Sequence, residues 1–317
     1  MNRPLTVIGA ALLLAGCQAG PVEPAFDPAT AAVPAAQPAA ASADAQKPAP
    51  VQRFIAVSSP EAAATPAMSF RGPMVQGGLM VGTVQAGTRI SLNGKPLRVG
   101  ADGTVVFGLD RDAPARIHLQ VTRPDGITFT SGYDVKQRTY NIQRVEGISE
   151  KVMKPTPEDE KRIADEARLA AAARTRDDDR QDFRQKFIWP AQGPITGVYG
   201  SQRYYNGVAG RPHYGVDVGI PVGTEVVAPA GGIVTLAHPD MFYSGGTVII
   251  DHGFGVSSTL MHLSEVLVKE GDRVEQGQRV AKSGASGRAS GPHLDWRMNW
   301  FDQRIDPQQF VSVKPRQ

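Results

Sequence analysis

Cysteine is almost missing from this 317-residue chain: there is one, Cys17, so no disulfide can close within it. An excess of one charge is missing too, since 34 Lys and Arg stand against 31 Asp and Glu, a formal net charge of +3. So weak a balance gives no reason to expect a nucleic-acid partner, although a pI near 9.0 suits an anionic setting such as cell wall or membrane headgroups. Long apolar runs are absent as well. The best candidate, Leu5 to Leu14, is short of the roughly 20 residues that cross a bilayer as a helix.

What stands at the start of the chain is the pattern of a signal peptide over residues 1–16: Arg3 as a positive n-region, the apolar stretch, then Leu14-Ala15-Gly16 before Cys17. Small residues before a lone Cys resemble a bacterial lipobox, and the resemblance implies that Cys17 becomes a lipidated N-terminus that anchors the protein in a membrane. Gln18 in place of Asp after that Cys implies the outer membrane, with the protein facing the periplasm. Residues 17–69 are rich in Ala and Pro and lack periodic hydrophobes, so they read as a disordered tether. At about 3.1 Å per residue in Pro-rich sequence, such a tether reaches on the order of 100 Å. Arg53 to Val57 is its one apolar spot, a short docking strand or a local exception that the sequence leaves open.

Over residues 70–145 the texture changes to alternating runs separated by turn pairs: Asn93-Gly94 after Arg89–Leu92, and Asp102-Gly103 before Thr104–Phe107. Ala115–Thr122 and Ile127–Thr130 continue it, and the expectation is a small β-sandwich of immunoglobulin-like type that binds, spaces or orients. His118, alone in an alternating strand, is expected to be a surface or filler residue rather than a ligand. Thr156-Pro157-Glu158-Asp159 then opens a helix, with an N-cap, a first-turn Pro and acids at the positive end of the dipole. It is expected to run through about Gln185, within a connector of residues 156–186, and its polar composition suits a solvated brace, with a partner-binding helix as the sharper alternative.

The remaining segment, 187–317, is rich in Gly and Val and predicts a mostly β, antiparallel domain. Val268–Gly277 has the spacing found in lipoyl and biotinyl carriers, but Lys282-Ser283-Gly284 lacks the setting of a modifiable lysine. Three histidines and two aspartates carry the chemistry. His213 and Asp217 are four apart around Gly215; His293 and Asp295 face one side of a strand; His262 ends the run Val256–Leu260. Imidazole nitrogen and carboxylate oxygen are zinc ligands, and a catalytic zinc keeps one position open. His238 and His252 fall in turns and are expected to face solvent rather than a metal, with His252 the first to check if Asp295 is too short. Trp189, Trp296 and Trp300 are expected to close the core or rim a groove.

His213-X-X-X-Asp217, the Val-X-X-Gly-X-X-Val frame, Met261-His262-Leu263 and Ser290-Gly-Pro-His293-Leu294 together resemble the lysostaphin and LytM type zinc endopeptidases that cut peptidoglycan peptides, over roughly Phe187 to Pro307. Gly200 to Gly207 also looks like the segment before the first ligand in Gram-negative members. The resemblance implies zinc held by His213, Asp217 and the residue at 295, with His262 and His293 as catalytic imidazoles and Asn206 at the substrate edge. The family has His at 295 and this chain has Asp. Its side chain is shorter, and a second carboxylate weakens the metal as a Lewis acid. Two functions follow: a zinc endopeptidase of peptidoglycan, active or attenuated by Asp at position 295, or a catalytically inactive domain that binds cell wall or activates a separate amidase at division. A purely structural envelope lipoprotein leaves the imidazole cluster unexplained.

Overall fold

A computed structural model describes residues 68–145, 156–205 and 207–311. Cys17, the tether with its Arg53–Val57 run, and Asn206 lie outside them. No helix among the described residues is long and apolar enough to cross a membrane.

The first seven strands are β1 (Ser69–Arg71), β2 (Leu79–Thr83), β3 (Arg89–Leu92), β4 (Lys95–Leu97), β5 (Thr104–Gly108), β6 (Arg116–Thr122) and β7 (Thr128–Asp134). They form a three-stranded sheet, β1-β2-β5, and a four-stranded sheet, β4-β3-β6-β7. Alternation does the folding here: in β6, Ile117, Leu119 and Val121 are buried while Arg116, His118 and Gln120 are exposed. Those apolar residues join Met80, Ile90, Val105 and Phe107 in one core. Asn93 (φ 48°) and Gly94 (φ 83°) supply the two left-handed residues that a tight hairpin between β3 and β4 requires. His118 sits on the surface, as expected.

Strand β8 (Ile142–Val145) departs from the antiparallel expectation by pairing in parallel with β10 (Gln202–Tyr205), beyond the connector. Between them, helix α1 spans Pro157–Ala172. Thr156 caps it: its hydroxyl accepts from the Asp159 N–H, and Asp159 accepts from the Thr156 N–H. The helix ends thirteen residues before the expected Gln185. Thr175 and the acidic run Asp177–Asp179 are poor helix formers placed where the dipole is negative, and Asp178 and Asp179 instead accept bonds from Arg176, Arg180 and Arg98. Otherwise α1 is a brace, burying no residue of its own. Arg162 donates to the Asp240 carbonyl and Glu166 accepts from the Phe242 N–H, while Ala170 and Ala173 pack on Leu236, Met241 and Ile249.

The rest is β structure: β9 (Ile195–Gly197), β11 (Val208–Ala209), β12 (Gly215–Val218), β13 (Glu225–Val227), β14 (Gly232–Met241), β15 (Gly245–Asp251), β16 (Val256–Val266), β17 (Arg273–Val274), β18 (Arg279–Ser283), β19 (Leu294–Trp300) and β20 (Gln303–Ile305). The main sheet runs β17-β14-β15-β16-β19-β12-β9, with antiparallel pairing throughout the central four strands β15, β16, β19 and β12. On one face Val248, Leu260, Trp296 and Val216 align in an apolar core, into which Trp189 packs edge-on against Trp296. The opposite face is polar at the centre. Trp300 packs against both this core and that of the sandwich.

Candidate metal and hydrolytic site

The polar face follows from strand periodicity. Asp217 on β12 lies directly across from Asp295 on β19, which lies across from Met261 on β16. Side chains of directly opposed residues share a face, so the two carboxylates meet. Two glycines make room for them: a Cβ on Gly215 would collide with the Asp295 carboxylate, and one on Gly197 with that of Asp217. Just ahead of β12, His213 is fixed by its backbone, accepting from the Gly200 N–H and donating to the Ser201 carbonyl, both at 2.7 Å. One donor atom from each of His213, Asp217 and Asp295 falls within 4.8 Å of the others.

The closest two say most. His213 Nε2 and Asp217 Oδ1 are 3.2 Å apart, yet both are buried atoms without a hydrogen-bond partner. An imidazole nitrogen and a carboxylate oxygen this close, without hydrogen-bond geometry between them, are satisfied by a shared cation, a proton or a metal. Their spacing matches the edge of a zinc tetrahedron, about 3.3 Å for bonds of about 2.0 Å. Burial depresses the His213 pKa, but the neighbouring Asp217 and Asp295 outweigh it and hold it above the ordinary imidazole value.

His262 and His293 add two imidazoles to the same face. His262 stands at an irregularity where the β15–β16 register shifts, and its backbone is left-handed, φ 61°. That conformation costs a non-glycine residue on the order of 1 kcal/mol, and here it turns the ring toward His293, 4.6 Å away between centroids. His262 Nδ1 lies 2.9 Å from the Ser286 carbonyl and His293 Nδ1 lies 2.8 Å from that of Gly291. Carbonyl oxygens only accept, so each Nδ1 carries the proton in the neutral ring and each Nε2 keeps a lone pair. His293 Nε2 is 3.9 Å from Asp217 Oδ1. Burial keeps the His262 pKa below the ordinary value, so it is neutral and basic at Nε2 near pH 7.

Arg297 is the residue that sequence reasoning passed over. Two positions beyond Asp295 on β19, it faces the same side, and its Nε and Nη2 donate to Asp295 at 2.7 to 3.1 Å, engaging both carboxylate oxygens. Burial raises the Asp295 pKa, while Arg297 and then His213 pull it down further, leaving the carboxylate ionised. The alternation Asp295-Trp296-Arg297 was the available signal. Its consequence is electrostatic. His213, Asp217, Asp295 and Arg297 sum to a charge of −1, the same as the two-histidine, one-carboxylate set that the family resemblance implies, so Arg297 offsets the extra charge that Asp brings. A carboxylate commonly binds a metal while accepting hydrogen bonds. The donor set therefore fits zinc, with Asp295 drawn toward Arg297.

The other histidines do not contribute. His238 lies in β14, not in a turn, and its Nδ1 accepts from the Asp240 N–H. The expectation that His252 faces solvent is corrected: it is fully buried on the apolar side, bonded to the Gly231 carbonyl and the Ser258 hydroxyl and packed edge-on against Phe187. Adjacent Gly231 and Ser258 give it the two polar partners that burial demands.

Comparison with known proteins identifies the family. The pattern of peptidase family M23 matches residues 211–307, and that of a prokaryotic membrane lipoprotein lipid attachment site matches residues 1–18. A Pseudomonas aeruginosa protein assigned to peptidase family M23 has a crystal structure 31% identical to this chain, covering 75% of this chain and 94% of its own, at a TM-score of 0.59. The peptidoglycan DD-endopeptidase ShyA of Vibrio cholerae is 42% identical over 89 residues, 27% of this chain and 20% of that protein. ShyB, a peptidoglycan DD-endopeptidase of the same organism, is 39% identical over 128 residues, 39% of this chain and 29% of its own length. The chain belongs to peptidase family M23. The matched segments span less than a third of the two Vibrio relatives.

Proposed function

We propose that this protein is a zinc-dependent endopeptidase that hydrolyses peptide bonds of peptidoglycan, held to the outer membrane by lipid on Cys17 and facing the wall from the periplasmic side. The observation that carries the reading is the pair of buried, unpartnered donors His213 Nε2 and Asp217 Oδ1, with two Nδ1-protonated imidazoles turned to the same face. His213, Asp217 and Asp295 would hold the zinc. When bound, zinc polarises a peptide carbonyl and lowers the pKa of water. His262 and His293 each present an Nε2 lone pair, and one of them accepts the proton that the attacking water gives up. The imidazolium so formed returns that proton to the leaving amine, the ordinary exchange of general base for general acid. Asn206 is assigned to the substrate edge, and the Vibrio endopeptidases support peptidoglycan as the substrate class.

A second reading is favoured by one observation: Arg297 occupies both oxygens of Asp295. If that pair excludes metal, the domain is a catalytically inactive binder of cell wall, or an activator of a separate amidase. Metal content and hydrolysis distinguish the two. Purified full chain is expected to retain one zinc and to release muropeptides from sacculi, and Asp217→Ala is expected to lose both while remaining folded. Metal-free protein that releases nothing when zinc is added overturns the endopeptidase reading.

A further inference from the structure

The two site imidazoles receive their Nδ1 partners in different ways. His293 turns to the carbonyl of Gly291, two residues before it, so the chain itself brings ring and acceptor together. His262 uses the carbonyl of Ser286, 24 residues further on in the loop between β18 and β19, and that loop has to be held in place. The Ser286 side chain holds it. Its hydroxyl accepts from the Gly246 N–H at 2.9 Å and donates to the Leu263 carbonyl at 2.7 Å, while its own carbonyl lies 2.9 Å from His262 Nδ1.

The sheet is irregular at this point. Pairing of β15 with β16 shifts between Gly246 and Val248, and the His262 N–H donates to the Ser244 carbonyl, 2.8 Å away, outside the strands. A bulge interrupts a ladder locally and re-aims a side chain. Here the Ser286 hydroxyl spans the interruption, bonded to β15 on one side and β16 on the other. Gly245, with φ 60°, lets the loop come this close: a Cβ there would collide with Ser286 Oγ and with the Gly287 backbone. The Arg288 N–H donates to the Tyr243 carbonyl at 2.9 Å and ties the far side of the loop to the same turn. With both hydroxyl bonds made, the direction of the Ser286 carbonyl is set, and with it the nitrogen of His262 that carries the proton.

We infer that Ser286 is a positioning residue for His262: its hydroxyl, held between β15 and β16, aims its carbonyl at Nδ1 and keeps the lone pair on Nε2. Without that acceptor the proton can sit on either nitrogen, and a ring protonated at Nε2 has no lone pair there to take a proton from water. The catalytic consequence rests on the endopeptidase reading above. The tautomer does not, because it belongs to the metal-free chain as well.

Nitrogen-15 NMR of the histidine rings in the full, metal-free chain, at a pH where they are neutral, reads the tautomer directly, with His262→Gln assigning the signal. The native chain and Ser286→Thr, which keeps a hydroxyl, are expected to show the His262 proton on Nδ1. Ser286→Ala is expected to show a mixed or Nε2-protonated ring, while still taking up zinc. Loaded with zinc, Ser286→Ala should release muropeptides from sacculi at least about tenfold more slowly, part of the roughly 10²- to 10⁴-fold that a positioned general base contributes, and Ser286→Thr should recover most of the rate. A hydroxyl that only steadied the loop would slow the reaction without moving the tautomer, and that result overturns the inference. So does a native ring protonated on Nε2, which needs no variant to fold. Failure of the endopeptidase reading looks different: the tautomer changes in Ser286→Ala as expected, but the native, zinc-loaded chain releases nothing.

Discussion

The two faces of strand β19 are made from alternate residues of one seven-residue segment, and they are stabilised in unlike ways. Leu294, Trp296 and Met298 point into the core, where each is fully buried among apolar residues. Asp295, Arg297 and Asn299 point to the other side, where Asp295 and Asn299 are as buried as their apolar neighbours. Transfer from water stabilises the first face directly. The second stays buried only because its polar groups find partners: Asp295 meets Arg297, and the Asn299 side-chain oxygen accepts from Arg304. The apolar face fixes the position of the strand, so the polar face can hold groups that by themselves would not stay out of water.

Breaking the apolar face has the largest effect. Trp296→Ala removes a side chain that packs against Trp189 and donates to Ser258, and it is expected to cost about 3–5 kcal/mol in urea unfolding. A loss below 1 kcal/mol would mean that this face does not position the site. Changes on the polar face should act on metal rather than on fold. Arg297→Gln removes the paired hydrogen bonds that orient the Asp295 carboxylate and is expected to weaken zinc binding about 10- to 100-fold, the range for partners of metal ligands. A rise in affinity instead would show that the guanidinium competes with the metal. Asp295→His sharpens the same contrast: alone it leaves the Arg297 charge unpaired, so the double change with Arg297→Gln should bind zinc more tightly than Asp295→His alone. Competition calorimetry reads all three.

How much of this was legible in the sequence differs between the faces. Alternation in Arg116–Thr122 and the Asn93-Gly94 pair identified strands and hairpin, because period and turn chemistry are local. The site histidines and aspartates were legible as a joint pattern. Arg297 was not singled out, because its meaning depends on Asp295 being a departure and on the two sharing a face. The end of α1 at Ala172 was missed because alanine and charge promise more helix than Asp177–Asp179 allows, once those acids have arginine partners elsewhere. His252 was assigned to solvent from its turn-like neighbours Asp251 and Gly253. Only the tertiary fold supplies the Gly231 carbonyl and the Ser258 hydroxyl that let it be buried.

His252 carries the mildest of these contrasts, an imidazole on the apolar face set against those of the site. Burial pushes its pKa down to about 4, with the Gly231 bond opposing only in part. An unfolded chain would hold the same group near 6.5, so below that pH the unfolded state takes up the proton that the folded state refuses. Stability from this residue is therefore complete above about pH 6.5 and is lost progressively as the pH falls toward 4. Between pH 7 and 5.5 the loss is about 1 kcal/mol. Urea unfolding at the two pH values, in the native chain and in His252→Gln, isolates it: whatever the variant's starting stability, its decline over that interval should be smaller by about 1 kcal/mol. Equal declines would mean that His252 is protonated as readily in the folded protein as in the unfolded chain, and the apolar face would then tolerate a charge that only the polar face is built to hold.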